Sequence, residues 1–381
     1  MPGRGCHREG MRITVVGAGI IGAALADRLA RPAHGDHRAE VTLVEWRGPG
    51  AGTTGAGYAW VNANDPSDPG YHRLRTAAMS TWRELAGEFG DPPWYRPSGN
   101  TTWAVTDEAK AALADRVARL TALGYAAELV DGDRLRTLEP HVKVPGDALI
   151  AHYPGEGYVH GGAAARALAR RAVGSGAVLV TGRRVVRLAT EGDRVTGVVL
   201  DDGRELHADV TICAAGRHSP ALLATAGVTL PLVDPSAPGS AAPCLIAVTT
   251  AADGVLNGLV HAPDLSTRPA ENGGLVLEAD DLDAGIDESA SPALIETAGT
   301  ELLARARALV PDLSVEIADI RRCVRPLPTD GYPLIGFQRP GLYTAVTHSG
   351  ITLGPHLAKL ISQEIHGEPS PRLAPYRPDR G

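Results

Sequence analysis

Three glycines, Gly17, Gly19 and Gly22, stand in the spacing G-x-G-x-x-G, and an acid, Glu45, closes an apolar run further on. Together these residue types suit one task, the holding of a dinucleotide. Gly17 permits a tight turn, Gly19 lets the main chain approach a pyrophosphate, and Gly22 lets a helix pack closely on a strand. Glu45 accepts hydrogen bonds from both ribose hydroxyls and repels a 2′-phosphate. Ile20 and Ile21 open a helix whose free N–H groups and dipole favour phosphate, and Trp46 follows the acid. A glycine triplet alone is weak evidence. Here the elements that must position it are present in order. Ile13–Val16 reads as a buried parallel strand, Ile20–Leu29 repeats apolar residues at helical spacing, and Val41–Val44 reads as the second strand.

A chain of 381 residues can bury a large core and is long enough for two domains, or one α/β body with an inserted layer. The net charge of −7 excludes a general nucleic-acid binder but not a small anionic substrate. Met1–Gly10 has no signal-peptide core and no run is long enough to span a bilayer, so a cytoplasmic protein without a membrane partner is expected. Cys6, Cys213, Cys244 and Cys323 lie far apart with no C-x-x-C pair, so neither a metal site nor a disulfide framework is expected. Each reads as a buried thiol, and His72, His261 and His348 read as packed neutral imidazoles.

Gly48–Gly57 is a glycine-rich loop carrying hydroxyls. Its composition fits a flexible surface loop as well as a backbone laid along a cofactor. Helices are expected over Tyr71–Phe89 and Asp107–Leu123, a strand within Gly146–Pro154, and a helix over Val159–Val173. Val178–Val180, Val185–Leu188, Val195–Leu200 and Ala208–Cys213 read as an antiparallel excursion and a return strand, which runs on through Ala214 and Ala215 to Gly216. Strands at Leu245–Thr250, Val255–His261 and Gly274–Glu278, with a helix over Pro292–Leu309, read as a separate substrate-facing sheet. Ile317–Arg325, Tyr332–Phe337 and Gly341–Val346 return to the first domain, and Gly350–Ile365 is the last helix.

Four segments carry a family resemblance: Val15–Ala30 with Glu45, Thr53–Val61, Ala208–Ser219, and Arg325–Pro355. The most specific is the run from Arg325 through Asp330-Gly331 to Gly336, followed by Thr347-His348-Ser349-Gly350-Ile351-Thr352. The chain resembles the flavin-dependent amine oxidases that include D-amino acid oxidase, glycine oxidase and monomeric sarcosine oxidase, most of all the glycine oxidase branch. The resemblance implies FAD and an α/β fold with an α+β substrate layer. It implies a discontinuous Rossmann-type FAD-binding domain (residues 11–88, 145–225 and 321–381) and an antiparallel-sheet substrate domain (89–144 and 226–320). Gly350, Ile351 and Thr352 correspond to the family's flavin-contacting turn, and Val185 to the residue whose backbone holds the adenine. Thr53, Thr54 and Gly55, with Ala215 and Gly216, complete the cofactor set that the resemblance implies.

Arg325 matches the arginine that binds the substrate carboxylate in this family. A guanidinium suits that role because it is planar, always charged and able to make two parallel bonds. A structural ion pair is the alternative. Cys323 falls where the sarcosine oxidase branch links a cysteine to the flavin; a buried thiol is the other reading. No lysine lies between Lys143 and Lys359, so the sarcosine branch's oxygen-activating lysine has no counterpart. The expected activity is oxidation of the C–N bond of an amino acid or N-substituted glycine. A hydride passes to flavin N5, the imine hydrolyses, and O2 is reduced to H2O2. The alternative is a dehydrogenase of amino or hydroxy acids with another electron acceptor. The stretch Leu230–Asp283 would shape the pocket and leaves room for a bulky N-substituent.

Overall fold

The computed structural model describes residues 10–31, 39–252, 254–283, 285–287 and 290–380; Cys6 lies outside them. The strand Arg12–Val16 is buried over its last four residues because it is paired on both sides, in parallel, with Glu40–Glu45 and Val210–Cys213. It sits inside a six-stranded sheet. The order is Leu334–Arg339, Leu342–Val346, Val210–Cys213, Arg12–Val16, Glu40–Glu45, Val178–Thr181. Only Leu334–Arg339 is antiparallel to its neighbour.

Alternation along these strands decides what covers each face. Ile13, Val15, Leu43, Ile212 and Tyr343 pack against the helices Ile20–Ala30, Pro69–Glu88, Gly161–Gly174 and Gly350–Ile365. Val16, Val44, Cys213 and Leu342 point the other way, into Leu188, Val195, Val198 and Leu200 of a small antiparallel sheet. That sheet holds the Val185–Leu188 and Val195–Leu200 strands of the excursion read from the sequence, with Glu205–His207 as its third strand; Val178–Thr181 pairs instead in parallel with Glu40–Glu45.

A second sheet has eight strands, in the order Ile317–Val324, Pro243–Thr249, Leu275–Glu278, Leu265–Pro269, Leu259–Ala262, Asn100–Ala104, Leu149–Tyr153, Glu128–Val130. Its pairings are antiparallel except between Leu259–Ala262 and Asn100–Ala104. Leu245, Ala247, Leu275 and Leu277 pack under the helix Pro292–Leu309. Cys244, Ile246, Val248, Val276 and Cys323 line the opposite face, which meets Tyr58 and Tyr158. The site lies along that second face.

Several elements differ from expectation. Leu149–Tyr153 falls in the segment assigned to the cofactor domain, yet it pairs in the eight-stranded sheet. The expected strand Val255–His261 begins only at Leu259, because the Glu139 carboxylate accepts the Asn257 and Gly258 N–H groups at 2.9 and 2.8 Å and holds them in a turn. Asn100–Ala104, Glu128–Val130 and Leu265–Pro269 are short strands without a clear alternation of their own. The glycine-rich stretch contains a helical turn, Thr53–Ala56, rather than a plain loop. Among the described residues no helix is long and apolar enough to cross a membrane.

Candidate active site

The helix Ile20–Ala30 begins at Gly19, which has no side chain to cap it; the Ile20 N–H is taken by Thr54 Oγ1, and the positive end of the helix dipole remains for a phosphate. The glycines around it are required sterically. Gly17 has φ +97°, and a Cβ there would stand 2.6 Å from the Ala214 carbonyl oxygen; one on Gly22 would stand 1.8 Å from that of Gly17. Glu45 is fixed at the end of its strand, accepting the Ala18 N–H at 2.9 Å and the Arg47 N–H at 3.0 Å. Each carboxylate oxygen keeps a second lone pair for a ribose hydroxyl. Trp46 is partly exposed, with the Arg184 guanidinium 4.2 Å from its ring and His218 against its edge. Val185 follows Arg184, and Ala215 and Gly216 lead into the turn that carries His218. These residues therefore converge on one end of the sheet, and the glycine cradle fits a dinucleotide.

The glycine-rich turn joins this end to the second sheet. Thr54 Oγ1 accepts the Ile20 N–H at 3.0 Å, and Thr53 Oγ1 donates to the Val324 carbonyl at 2.7 Å. A Cβ on Gly55 would fall 2.5 Å from the Gly50 carbonyl oxygen, so the turn closes tightly. Ala59, just beyond it, is buried with φ +63°, a strained backbone for a residue with a side chain. The start of the helix Gly350–Ile365 abuts the same place. Trp82 Nε1 donates to the Ile351 carbonyl at 2.8 Å, Thr352 Oγ1 donates to the Trp60 carbonyl at 3.1 Å, and Gly350 lies against Ile21. Its N-terminal dipole is available to stabilise negative charge.

Arg325 follows the strand Ile317–Val324. Its Nη2 donates to Asp283 Oδ2 at 2.6 Å, and its Nε is buried without a hydrogen-bond partner among the described residues. Asp283 also accepts the Leu245 N–H at 2.8 Å, and burial pushes its carboxyl up to about 6. Cys244, Glu278 and Asp283 bring their ligand atoms within 4.8 Å of one another. Burial, then the Asp283 charge, pushes Glu278 up to about 7. Cys244 stands directly across from Cys323 in the paired strands. Both are buried, and the hydrogen bond between their thiols raises the pKa of Cys244 and lowers that of Cys323. Cys323 Sγ is 4.0 Å from the Thr53 carbonyl oxygen.

A polar network ties the sheet to the loop. Glu156 is fully buried and accepts from Trp60 Nε1 at 2.8 Å, Asn100 Nδ2 at 3.0 Å and Tyr125 OH at 2.7 Å. Asn100 Oδ1 in turn meets His261 Nδ1 at 2.7 Å, and His261 leans on the Trp60 ring. Burial lowers His261 to about 3; burial with the Arg325 and Arg75 charges lowers His348 to about 4. Both imidazoles are neutral at pH 7.

Such a nucleotide cradle, closed by a second sheet carrying an arginine, defines a flavin-type oxidoreductase fold. The chain belongs to the FAD dependent oxidoreductase family, whose model matches residues 12–364, and FAD is its cofactor. It is 26% identical over 377 residues to a glycine oxidase of Geobacillus kaustophilus (strain HTA426), covering 96% of this chain and 95% of that protein. It is also 27% identical over 425 residues to a D-amino acid dehydrogenase of Cereibacter sphaeroides (strain ATCC 17023), covering 94% and 92%. The crystal structure of glycine oxidase from Geobacillus kaustophilus aligns with a TM-score of 0.82 at 23% identity, over 97% of this chain and 99% of that one.

Sequence reasoning missed Arg268, Glu278, Asp283 and Glu156. The available signal was a charge in an otherwise apolar strand, as in Leu275-Val276-Leu277-Glu278. Asp283 ends a one-turn helix, Glu156 follows a turn, and neither carried a signal.

Proposed function

We propose that the chain is an FAD-dependent oxidase of an amino acid or N-substituted glycine. The buried, unpartnered Nε of Arg325 carries this reading. A buried donor of that kind calls for an acceptor, and a carboxylate beside the amine supplies one. Arg325 binds the carboxylate and aligns the carbon next to nitrogen, the neutral imidazoles of His261 and His348 add no competing charge, and the sheet face excludes water. FAD, when bound, would supply the hydride acceptor, with oxygen as the terminal oxidant. For an N-substituted glycine the balance is R–NH–CH2–COO⁻ + H2O + O2 → R–NH2 + OHC–COO⁻ + H2O2. No side-chain base is required beyond a deprotonated amine held in line. Gly17, Gly19, Ile20, Ile21, Gly22, Glu45, Trp46, Val185, Ala215 and Gly216 are proposed to hold the nucleotide, and Thr53–Gly55 with Gly350–Thr352 the flavin.

A dehydrogenase with another electron acceptor is the second reading. It is favoured by the D-amino acid dehydrogenase relative and by the lack of any lysine between Lys143 and Lys359. The visible spectrum of the purified protein, taken without oxygen, tests the chemistry. Flavin bands bleached by glycine, sarcosine or bulkier N-alkylglycines support C–N oxidation; bands bleached by none of them refute it. Peroxide formed on admitting air separates oxidase from dehydrogenase.

A further inference from the structure

A buried charge ordinarily comes with a counter-charge. Arg268, on the strand Leu265–Pro269, is only 4% exposed. Its Nε donates to the Tyr58 carbonyl and its Nη1 to the Pro269 carbonyl at 2.8 Å. The guanidinium stands 5.6 and 5.0 Å from the ring centres of Tyr58 and Tyr158. Among the described residues no carboxylate is in ion-pair contact with it, and Glu278 acts on it only from further away. Burial brings it down to about 10, which still leaves a cation at neutral pH.

This cation lines a cavity of about 530 Å³ between the eight-stranded sheet, at Ile246 and Val276, and the glycine-rich turn, at Gly55 and Gly57. That volume is in the range of a small-molecule site and far exceeds glycine or sarcosine. Two other arginines on its wall already have carboxylates: Arg321 pairs with Asp319 and Arg166 with Glu271. Arg268 has none.

The sheet face that walls the cavity continues beyond it, past Cys244 and Cys323, to Arg325. Val276 stands opposite Arg268 in the strand pairing, and Glu278 follows on the same face two residues on. Glu278 feels the charges of both Arg325 and Arg268, and makes no side-chain hydrogen bond or ion pair among the described residues. This face of the sheet therefore carries a cation in the cavity, Arg268, then an anion, Glu278, and a second cation, Arg325, beyond it.

We propose that Arg268 binds a second acidic group of the substrate, so that the substrate class is an amine flanked by two carboxylates, an N-(carboxyalkyl)glycine. The glycine carboxylate meets Arg325, the amine faces Glu278, and the acidic end of the N-substituent enters the cavity and meets Arg268. This rests on the reading of Arg325 as the holder of the glycine carboxylate. The charge order of such a substrate, anion–cation–anion, is the complement of that face.

The test uses the FAD-loaded enzyme and two matched pairs of ligands. Iminodiacetate and its monoamide, N-(carbamoylmethyl)glycine, have the same shape and differ in one charge; half-saturation of flavin bleaching without oxygen is measured for each. Thiodiacetate and its monoamide, which have no amine to oxidise, are titrated by calorimetry. The wild type is expected to bind each diacid at least about tenfold more tightly than its amide, with the ratio collapsing toward one in Arg268→Met and partly kept in Arg268→Lys. Equal binding of diacid and amide by the wild type overturns the proposal, as does an undiminished ratio in Arg268→Met. If that variant does not fold, the wild-type ratio alone decides. Sarcosine that binds well without any preference for diacids sinks the role of Arg268 alone; no response to any of these acids sinks the reading of Arg325 with it.

Discussion

Arg325 and Asp283 form a half-buried ion pair at 2.6 Å, and the aspartate's other oxygen is held by the Leu245 N–H. Arg325 is thus fixed by a partner that itself cannot swing away, while its buried Nε has no hydrogen-bond partner among the described residues. Replacing Arg325 with Ala should raise the Michaelis constant by roughly two to three orders of magnitude, the loss of two charge-assisted bonds. An unchanged constant would remove Arg325 from the substrate site.

Asp283 competes for the same guanidinium. Asp283→Asn keeps an acceptor for the Leu245 N–H but removes the rival charge, so half-saturation by the substrate should fall several-fold. Steady-state kinetics across a substrate series checks this; a rise would mean that Asp283 chiefly holds Arg325 in place.

Glu278 gives a pH prediction with a definite sign. Its folded pKa is raised, to about 7, so the folded state holds its proton more tightly than the unfolded state does. Stability from this residue is therefore lost as pH rises from about 4.5 through 7, up to roughly 3 kcal/mol. Glu278→Gln should gain stability over wild type at pH 8 and lose that advantage near pH 5. Paired urea melts at the two pH values would show it, and a gain independent of pH would contradict the burial argument.

Glu156 anchors three donors in the interior. Glu156→Ala leaves all three unsatisfied and should cost about 3 kcal/mol or more. Because one of them is Trp60, which also receives Thr352 Oγ1 at its carbonyl, tryptophan fluorescence should change together with the melting temperature. A variant as stable as wild type would show the network to be dispensable.

Gly22→Ala places a methyl group against the Gly17 carbonyl, which is backbone and cannot move aside cheaply. The variant should purify without yellow colour or fail to fold, read as the ratio of flavin to protein absorbance. Ala59→Gly runs the other way: it relieves the positive φ and should be neutral or stabilising by a few tenths of a kcal/mol, whereas Ala59→Val should destabilise.

The nucleotide cradle was legible because it is local. Gly17, Gly19, Gly22 and Glu45 belong to one strand–helix–strand unit, and their spacing along the chain is their spacing in space. The last helix and the strands of the first sheet were legible for the same reason, since each carries its own periodicity. Arg325 could be singled out by type and by resemblance, but its partner could not. Asp283 reaches it across 42 residues, through the pairing of Pro243–Thr249 with Ile317–Val324. Arg268 and Glu278 come to one face only because Leu265–Pro269 and Leu275–Glu278 pair in this register. A slip of one residue between these strands would put the two side chains on opposite faces of the sheet. Register is a property of long-range pairing, so the sequence by itself determined the cofactor and the strand–helix–strand unit with its glycines, and the tertiary structure decided which charges share the candidate site.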